Sequence, residues 1–349
     1  MTSDSTSDQV NRQWLFASRP LQMVGPEHFE YREVPRPDVV DGTMLVRNLY
    51  FSLDPAMRAW MWPRETYIAP LEIGQVMRSL ALGQVVESRR DDFAPGELVV
   101  GTFGWQDYAL VQDEGPMGVH KVPPGVRPTA MLGVLGVTGL TAYFGILDLG
   151  RPEAGQTVVI SGAAGAVGSV AGQIAKTRGA RVVGIAGGEA KCRWIQEEAG
   201  FDAAIDYKNE NVRTRLRELC PQGIDVYFDN VGGPTLEAAL DHLAMHARIV
   251  ICGAISNYNA QGGSGGPRNY MNLLVKRARM EGFVVFDYLP RFGEAIAQMA
   301  AWMAEGRLRD AEDIVEGFEN TPQALVRLFT GANLGKQLLK VADPPLPVA

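Results

Sequence analysis

The sequence predicts an α/β chain in which a mainly β, barrel-like N-terminal region is followed by a parallel sheet wound with helices on both faces. Three observations carry this. Residues 157–169, TVVISGAAGAVGS, pass from a short apolar strand (Val158, Val159, Ile160) through a small-residue loop into a helical pattern. From about Met131 onward, short apolar runs alternate with helical spacing, the texture of a parallel sheet covered on both sides. Residues 12–130, by contrast, are rich in Pro and Gly and carry only short β-like runs separated by turn signals.

In the N-terminal region, residues 43–51, 83–87 and 98–100 have strand length and are closed by turn residues. In the second region, strands are expected at 157–160, 181–186, 203–205, 225–228, 247–252 and 282–286, with helices in most of the gaps. The helix after the glycine loop places Val167, Val170, Ala171, Ile174 and Ala175 on one apolar stripe that can lie against a sheet. Strand-like runs at 314–318 and 337–341 close the chain and can return to the first region. The expected divisions are 1–131, 132–308 and 309–349.

A chain of 349 residues with 46% hydrophobic residues has material for two cores. It has no apolar run long enough to predict a membrane span. The polar start, MTSDSTSDQVNRQW, lacks the layout of a secretory signal, so a frayed terminus on a cytoplasmic protein is expected. A formal charge of −7 without a basic block argues against a nucleic-acid partner. Cys192, Cys220 and Cys252 are scattered and odd in number, which suits reduced thiols and gives no metal-ligand spacing.

Gly162, Gly165 and Gly168 lie three apart between strand and helix, so the backbone can turn sharply, approach a pyrophosphate and let the helix pack near the strand. The helix N-terminus then offers N–H groups and a positive dipole end to phosphate. Such a loop also joins strands to helices for packing alone. The stretches Gln13-Trp-Leu, Ser52-Leu-Asp-Pro with Met57-Arg58, Gly136-Val-Thr-Gly-Leu-Thr-Ala-Tyr143, Phe228-Asp-Asn-Val-Gly-Gly233, Cys252-Gly-Ala-Ile-Ser256, Glu316-Gly-Phe and Asn333-Leu-Gly-Lys336, with the glycine loop, resemble the zinc-independent medium-chain dehydrogenase/reductases. Within that superfamily they resemble the prostaglandin reductase, leukotriene B4 dehydrogenase, double-bond reductase and curcumin reductase group. The resemblance covers nearly the whole chain. It implies a GroES-like β-barrel substrate and catalytic domain (1–131), a Rossmann doubly wound NADP-binding domain (132–308) and a C-terminal segment (309–349) that completes the first domain. It also implies a homodimer.

The resemblance assigns cofactor contacts to Gly162, Ala163, Ala164, Gly165, Ala166, Val167 and Gly168 of the loop, and to Lys191 and Tyr207 at the ribose 2′-phosphate. NAD enzymes hold an acid at the end of the second Rossmann strand, about 20 residues past the loop. Here that strand ends in Gly187-Gly188, so NADPH/NADP⁺ is the expected cofactor. Glu189 is either a first-turn helix acid or a ribose contact. Asn230 follows a strand at the carboxyl edge of the sheet, and is either a turn former or, by resemblance, a cofactor contact. Cys252, Gly253, Ala254, Ile255 and Ser256 resemble the segment flanking the nicotinamide. Phe283, Val284 and Val285 resemble the segment whose backbone meets the carboxamide, or form an edge strand used in dimerisation. Asn333 matches the position that reaches the cofactor from the C-terminal segment.

No metal is expected. His242 and His246 are four apart, but without HExxH or a third ligand they read as a solvated pair on a helix. Without a metal to polarise an alcohol, the expected substrate is already an electrophile, a small conjugated carbonyl compound. Hydride from NADPH adding at the β-carbon of an enone or enal builds charge on the carbonyl oxygen, and Tyr258 is the candidate donor to it. The alternative makes Tyr258 a pocket wall. Where the family often carries tyrosine in Asp-Pro-Tyr-Met-Arg, this chain has Ala56, which implies a roomier pocket. Met57, Trp60, Met61 and Trp62 either supply adaptable apolar surface or pack in the core. The glycine run 262–266 is either a lid or a plain flexible connection. Rival functions are an NADPH quinone oxidoreductase on the same fold and a non-enzymatic NADPH-binding redox sensor.

Overall fold

The computed structural model describes residues 9–112, 118–260 and 266–349. Residues 1–8, within the expected frayed start, and positions 262–265 of the glycine run expected as a lid lie outside the described residues. The first elements are β1 (Val10–Phe16), β2 (Phe29–Pro35), β3 (Met44–Ser52), α1 (Ala56–Trp60), β4 (Ala81–Ser88), β5 (Leu98–Gly101), β6 (Tyr108–Val111) and β7 (His120–Lys121). There follow α2 (Val137–Phe144), β8 (Thr157–Ser161), α3 (Ala166–Thr177), β9 (Arg181–Ala186), α4 (Glu189–Glu197), β10 (Ala203–Asp206) and α5 (Val212–Leu219). The chain continues through β11 (Ile224–Asp229), α6 (Gly233–Leu240), β12 (Leu243–Ile251), α7 (Asn272–Lys276), β13 (Arg279–Gly282), α8 (Phe292–Ala304), β14 (Glu312–Glu316), α9 (Thr321–Thr330) and β15 (Lys336–Lys340).

The chain forms two units, one of residues 1–132, 313–332 and 337–349, the other of residues 133–312 and 333–336. In the first, strands run in the order β14-β15-β3-β4-β5-β7, with β6 also on β3 and β1–β2 as a separate antiparallel pair. The C-terminal β15 pairs antiparallel with β3, Leu339 opposite Phe51. Phe16, Phe51, Met57, Met61, Trp105 and Phe318 are buried in one core, with Trp60 partly buried against it. Of the two roles open to them, Met57 and Met61 therefore take the core-packing one.

The second unit is a six-stranded sheet in the order β10-β9-β8-β11-β12-β13, with every neighbouring pair parallel. Strand order reverses between β8 and β11, and in such sheets the crevice at the carboxyl ends beside that reversal is the ligand position. The glycine loop leaves β8 there. Val170, Ala171, Ile174 and Ala175 of α3 are buried as expected, whereas Val167, in the first turn, is only partly covered. Among the described residues no helix is long and apolar enough to cross a membrane.

Two expectations are corrected. The run 282–286 is not a strand: β13 is Arg279–Gly282, and Val285–Arg291 form a 3₁₀ helix. The edge strand pairs with Arg248–Ile251 of β12. Beyond Ile251 the Gly253 N–H, which a continuing strand would aim at the β13 side, meets the Asp229 carbonyl on the β11 side, so residues 283–286 have no ladder to join. His242 and His246 do not share a helix. The helix α6 ends before His242, and His246 lies in β12 with φ of 62°. It sits in an irregular stretch where Ile224 faces Leu243 but Val226 already faces Arg248.

Candidate functional site

The site is built outward from β8. Its last residue, Ser161, is fully buried and leads into Gly162, whose φ of 59° starts the turn. Gly165 N–H donates to the Gly162 carbonyl at 3.0 Å, and Ala163 N–H donates to Ile185 at 3.0 Å, pinning the loop to the next strand. A Cβ on Gly168 would stand 2.3 Å from the Gly162 carbonyl oxygen, so only glycine lets α3 begin this close to the turn. No side chain caps α3, which leaves its first N–H groups facing the mouth of the loop. This close approach and uncapped helix start fit a pyrophosphate. Ala163 and Ala164 are buried; Gly165, Ala166 and Val167 are open to the mouth.

The loop is braced from the far end of the chain. Gly335 N–H donates to the Ala164 carbonyl at 2.8 Å, and Gly335 bridges Gly165 in parallel. Asn333, buried, donates its amide to the Gly335 carbonyl at 2.9 Å. Its amide N–H thus holds the brace, whatever its carbonyl oxygen meets.

At the tip of β9, Gly187 and Gly188 make the turn into α4. A Cβ on Gly187 would fall 2.7 Å from the Tyr207 ring, which therefore lies directly against the turn, half-exposed. Lys191, partly exposed, is in the first turns of α4. Glu189 pairs with Arg193 one turn on, the behaviour of a first-turn helix acid. Asp206, which ends β10, accepts from Gly188 N–H at 2.7 Å, Lys208 N–H at 3.0 Å and Asn209 Nδ2 at 2.7 Å. Burial pushes its carboxyl up, but these donors outweigh it and hold the group below the ordinary carboxylate range.

A second network joins β8 to β11. The Asp229 carboxylate, 1% exposed, accepts from Ser161 Oγ at 2.8 Å, Tyr227 Oη at 3.1 Å and the N–H groups of Val231 and Gly232 at 3.1 and 3.0 Å. Burial lifts its carboxyl above the ordinary range against the pull of these donors. Asn230 donates its backbone N–H to Ser161 Oγ at 2.8 Å and its side-chain amide to the Ser161 carbonyl at 2.7 Å. Its amide N–H locks this turn to the glycine loop.

From that turn the bonds continue to residues 254–258. Ile255 N–H donates to Asn230 at 3.2 Å and Ser256 N–H to Val231 at 3.1 Å. The Tyr258 phenol folds back over its own turn, where its oxygen accepts from Ala254 N–H at 3.3 Å. A Cβ on Gly253 would lie 3.0 Å from that oxygen. Burial, with Asp229 nearby, pushes the Cys252 thiol up to about 12, so it stays protonated and unreactive at neutral pH. Val285 is buried, and the Phe283 ring meets Tyr288 edge-on at 6.4 Å, so Phe283 is occupied in packing and leaves its backbone as its polar resource.

The glycine loop, Asn230, residues 252–258 and Asn333 are thus tied into one bonded assembly, with Lys191 and Tyr207 grouped separately at the β9 tip. Sequence reasoning passed over Asp229, Ser161, Asp206 and Gly335. Asp229 stands inside a quoted motif and Asp206 closes an apolar strand, so an acid at a strand end was the available signal. Among the described residues no three His, Cys, Asp or Glu side chains cluster as metal ligands.

Comparison with known proteins agrees with this architecture. A model described as the N-terminal domain of oxidoreductase matches residues 12–119, and one described as zinc-binding dehydrogenase matches residues 166–305. The chain is 40% identical over 339 residues to the NADPH-dependent curcumin reductase of Escherichia coli, covering 96% of this chain and 98% of the relative. It is 38% identical over 302 residues to the NADP(+)-dependent 2-alkenal reductase of Nicotiana tabacum, covering 86% and 87%. The crystal structure of CurA from Vibrio vulnificus in complex with NADPH superposes with a TM-score of 0.90 at 41% identity, over 95% of this chain and 100% of that one.

Proposed function

The chain belongs to the zinc-independent medium-chain dehydrogenase/reductases and is an NADPH-dependent oxidoreductase of the curcumin and alkenal reductase type; on that premise we propose that it reduces the carbon–carbon double bond of α,β-unsaturated ketones and aldehydes. Gly162 to Gly168 with the first turn of α3 would hold the pyrophosphate, and Lys191 with Tyr207 the 2′-phosphate. Asn230, Cys252 to Ser256, Phe283 to Val285 and Asn333 would line the rest of the cofactor. Bound there, NADPH supplies a hydride. The chain's own task is to hold the acceptor and to place a proton donor at its carbonyl oxygen, where charge builds as the β-carbon is reduced.

The observation that carries the proposal is the bonded path from the glycine loop to a phenol. Ser161 holds Asn230, Asn230 holds Ile255, and the same short turn presents Tyr258 with its oxygen fixed on Ala254 N–H. A phenol stays protonated at neutral pH and can donate without carrying charge. Oxidation of NADPH, followed by its absorbance with an enone, an enal, a quinone and no acceptor, tests this. Fast turnover of the enone and enal is expected. Turnover with the quinone alone would make the protein a quinone reductase, and none with any acceptor would leave a cofactor-binding protein.

We also propose a homodimer, supported by an exposed apolar face beside the edge strand of the parallel sheet. β13 ends the parallel sheet with Arg279, Glu281 and Gly282 exposed. Just before it, Tyr270, Met271, Leu274 and Val275 are all more than half exposed, an apolar face on α7 and the turn leading into it. Light scattering on the wild type is expected to give twice the chain mass, and Leu274→Glu with Val275→Glu to give the monomer. A monomeric wild type would contradict this. A cytoplasmic setting is supported by the three free cysteines, of which Cys220 is buried with its thiol pushed up to about 11 by burial.

A further inference from the structure

We propose that Asp206 is a positioning residue for the dinucleotide preference of this protein: it ties the Gly187–Gly188 turn to the Tyr207–Asn209 segment and so keeps together the two elements that would receive the ribose 2′-phosphate. The inference rests on the proposed placement of that phosphate at Lys191 and Tyr207.

An acid at the tip of the second strand marks NAD enzymes, because its free oxygens bond the ribose hydroxyls and its charge repels a phosphate. This chain has no acid at the tip of β9, but the neighbouring strand β10 ends in one. Its carboxylate meets three donors, the N–H groups of Gly188 at 2.7 Å and Lys208 at 3.0 Å and the Asn209 amide at 2.7 Å. Those bonds take up both carboxylate oxygens, since Gly188 and Lys208 meet Oδ1 and Asn209 meets Oδ2. With three donors met and the residue only 8% exposed, the side chain acts as a brace between these segments. Charge-assisted bonds to backbone N–H groups are the stronger kind and fix direction as well as distance.

The brace acts on both halves of the cradle. On one side it sets Gly188, which leads directly into the first turn of α4 that carries Lys191. On the other it sets the backbone on either side of Tyr207, whose own N–H donates to the Ala186 carbonyl at 3.0 Å. The Tyr207 ring reaches Gly187 so closely that a Cβ there would stand 2.7 Å away. A ring that rests on a glycine backbone with no side chain to key into keeps its place only as long as both backbones keep theirs.

The test compares NADPH and NADH binding to the purified protein by calorimetry, with thermal unfolding of the cofactor-free protein checking the fold. Asp206→Ala, which removes all three bonds of the brace, is expected to weaken NADPH by about 10-fold and to change NADH by less than about 2-fold. Asp206→Asn keeps an oxygen for Gly188 N–H and is expected to restore most of the NADPH affinity. Equal weakening of both cofactors, no weakening of either, or tighter NADPH binding would each overturn the inference. Lys191→Ala, measured alongside, separates the two levels: a loss of NADPH preference there with none in Asp206→Ala removes the role of Asp206 alone. An unchanged preference in Lys191→Ala removes the placement of the phosphate and the inference with it.

Discussion

Tyr258→Phe is expected to lower turnover of an enone about 10²-fold, the usual worth of a positioned proton donor, while leaving NADPH affinity unchanged. The phenol oxygen does not hang free in solvent: Ala254 N–H donates into it at 3.3 Å, and the Gly253 backbone lies beneath it. A donor aimed into that oxygen favours negative charge on it, which is what develops as its proton leaves. The turn that carries it is itself anchored, through Asn230 and Ser161, to the glycine loop. Phenylalanine keeps the ring and its packing but removes the proton. Steady-state kinetics with a cofactor titration on the same samples separates the two effects. Undiminished turnover would take Tyr258 out of the chemistry and leave it as a pocket wall.

Asp229→Ala is expected to destabilise the protein by about 3 kcal/mol or more, because it strands the buried Gly232 N–H and Tyr227 hydroxyl and the part-buried Val231 N–H, at about 1–3 kcal/mol for each buried group. Val231 and Gly232 cannot rotate their N–H groups away, and both point into the carboxylate. Ser161 and Tyr227 lose their acceptor as well, and Ser161 is the residue to which Asn230 is bonded. The damage therefore reaches the glycine loop, and NADPH affinity is expected to fall with stability. Asp229→Asn retains one oxygen and is expected to lose less than half as much. Denaturant unfolding at neutral pH measures both. A cost below about 1 kcal/mol for Asp229→Ala would mean that the network relaxes to satisfy itself.

The parallel sheet was legible because its strands are continuous apolar runs and its first helix keeps one stripe, Val170, Ala171, Ile174 and Ala175, buried against the sheet. The glycine loop was legible for a local reason: its spacing is imposed by the close approach of Gly168 to Gly162. Errors arose where an apolar run met a tertiary boundary. Residues 282–286 have the composition of a strand, but β13 ends at Gly282 and the chain coils into a 3₁₀ helix from Val285. Met57 and Met61 could not be sorted between surface and core by residue type, since thioethers serve both. The acids Asp206 and Asp229 were missed as functional supports because at least half of the donors to each are backbone N–H groups, which carry no residue-type signal. The Gly335 brace was missed for the same reason, since its partner is the Ala164 carbonyl, far away in the chain.

The most direct test of the central proposal follows the hydride itself. The protein is incubated with an enone and NADPH carrying deuterium at its transferable position, and the product is read by NMR. The saturated ketone with deuterium on the carbon that was β to the carbonyl is expected. An allylic alcohol with deuterium on the former carbonyl carbon would contradict it.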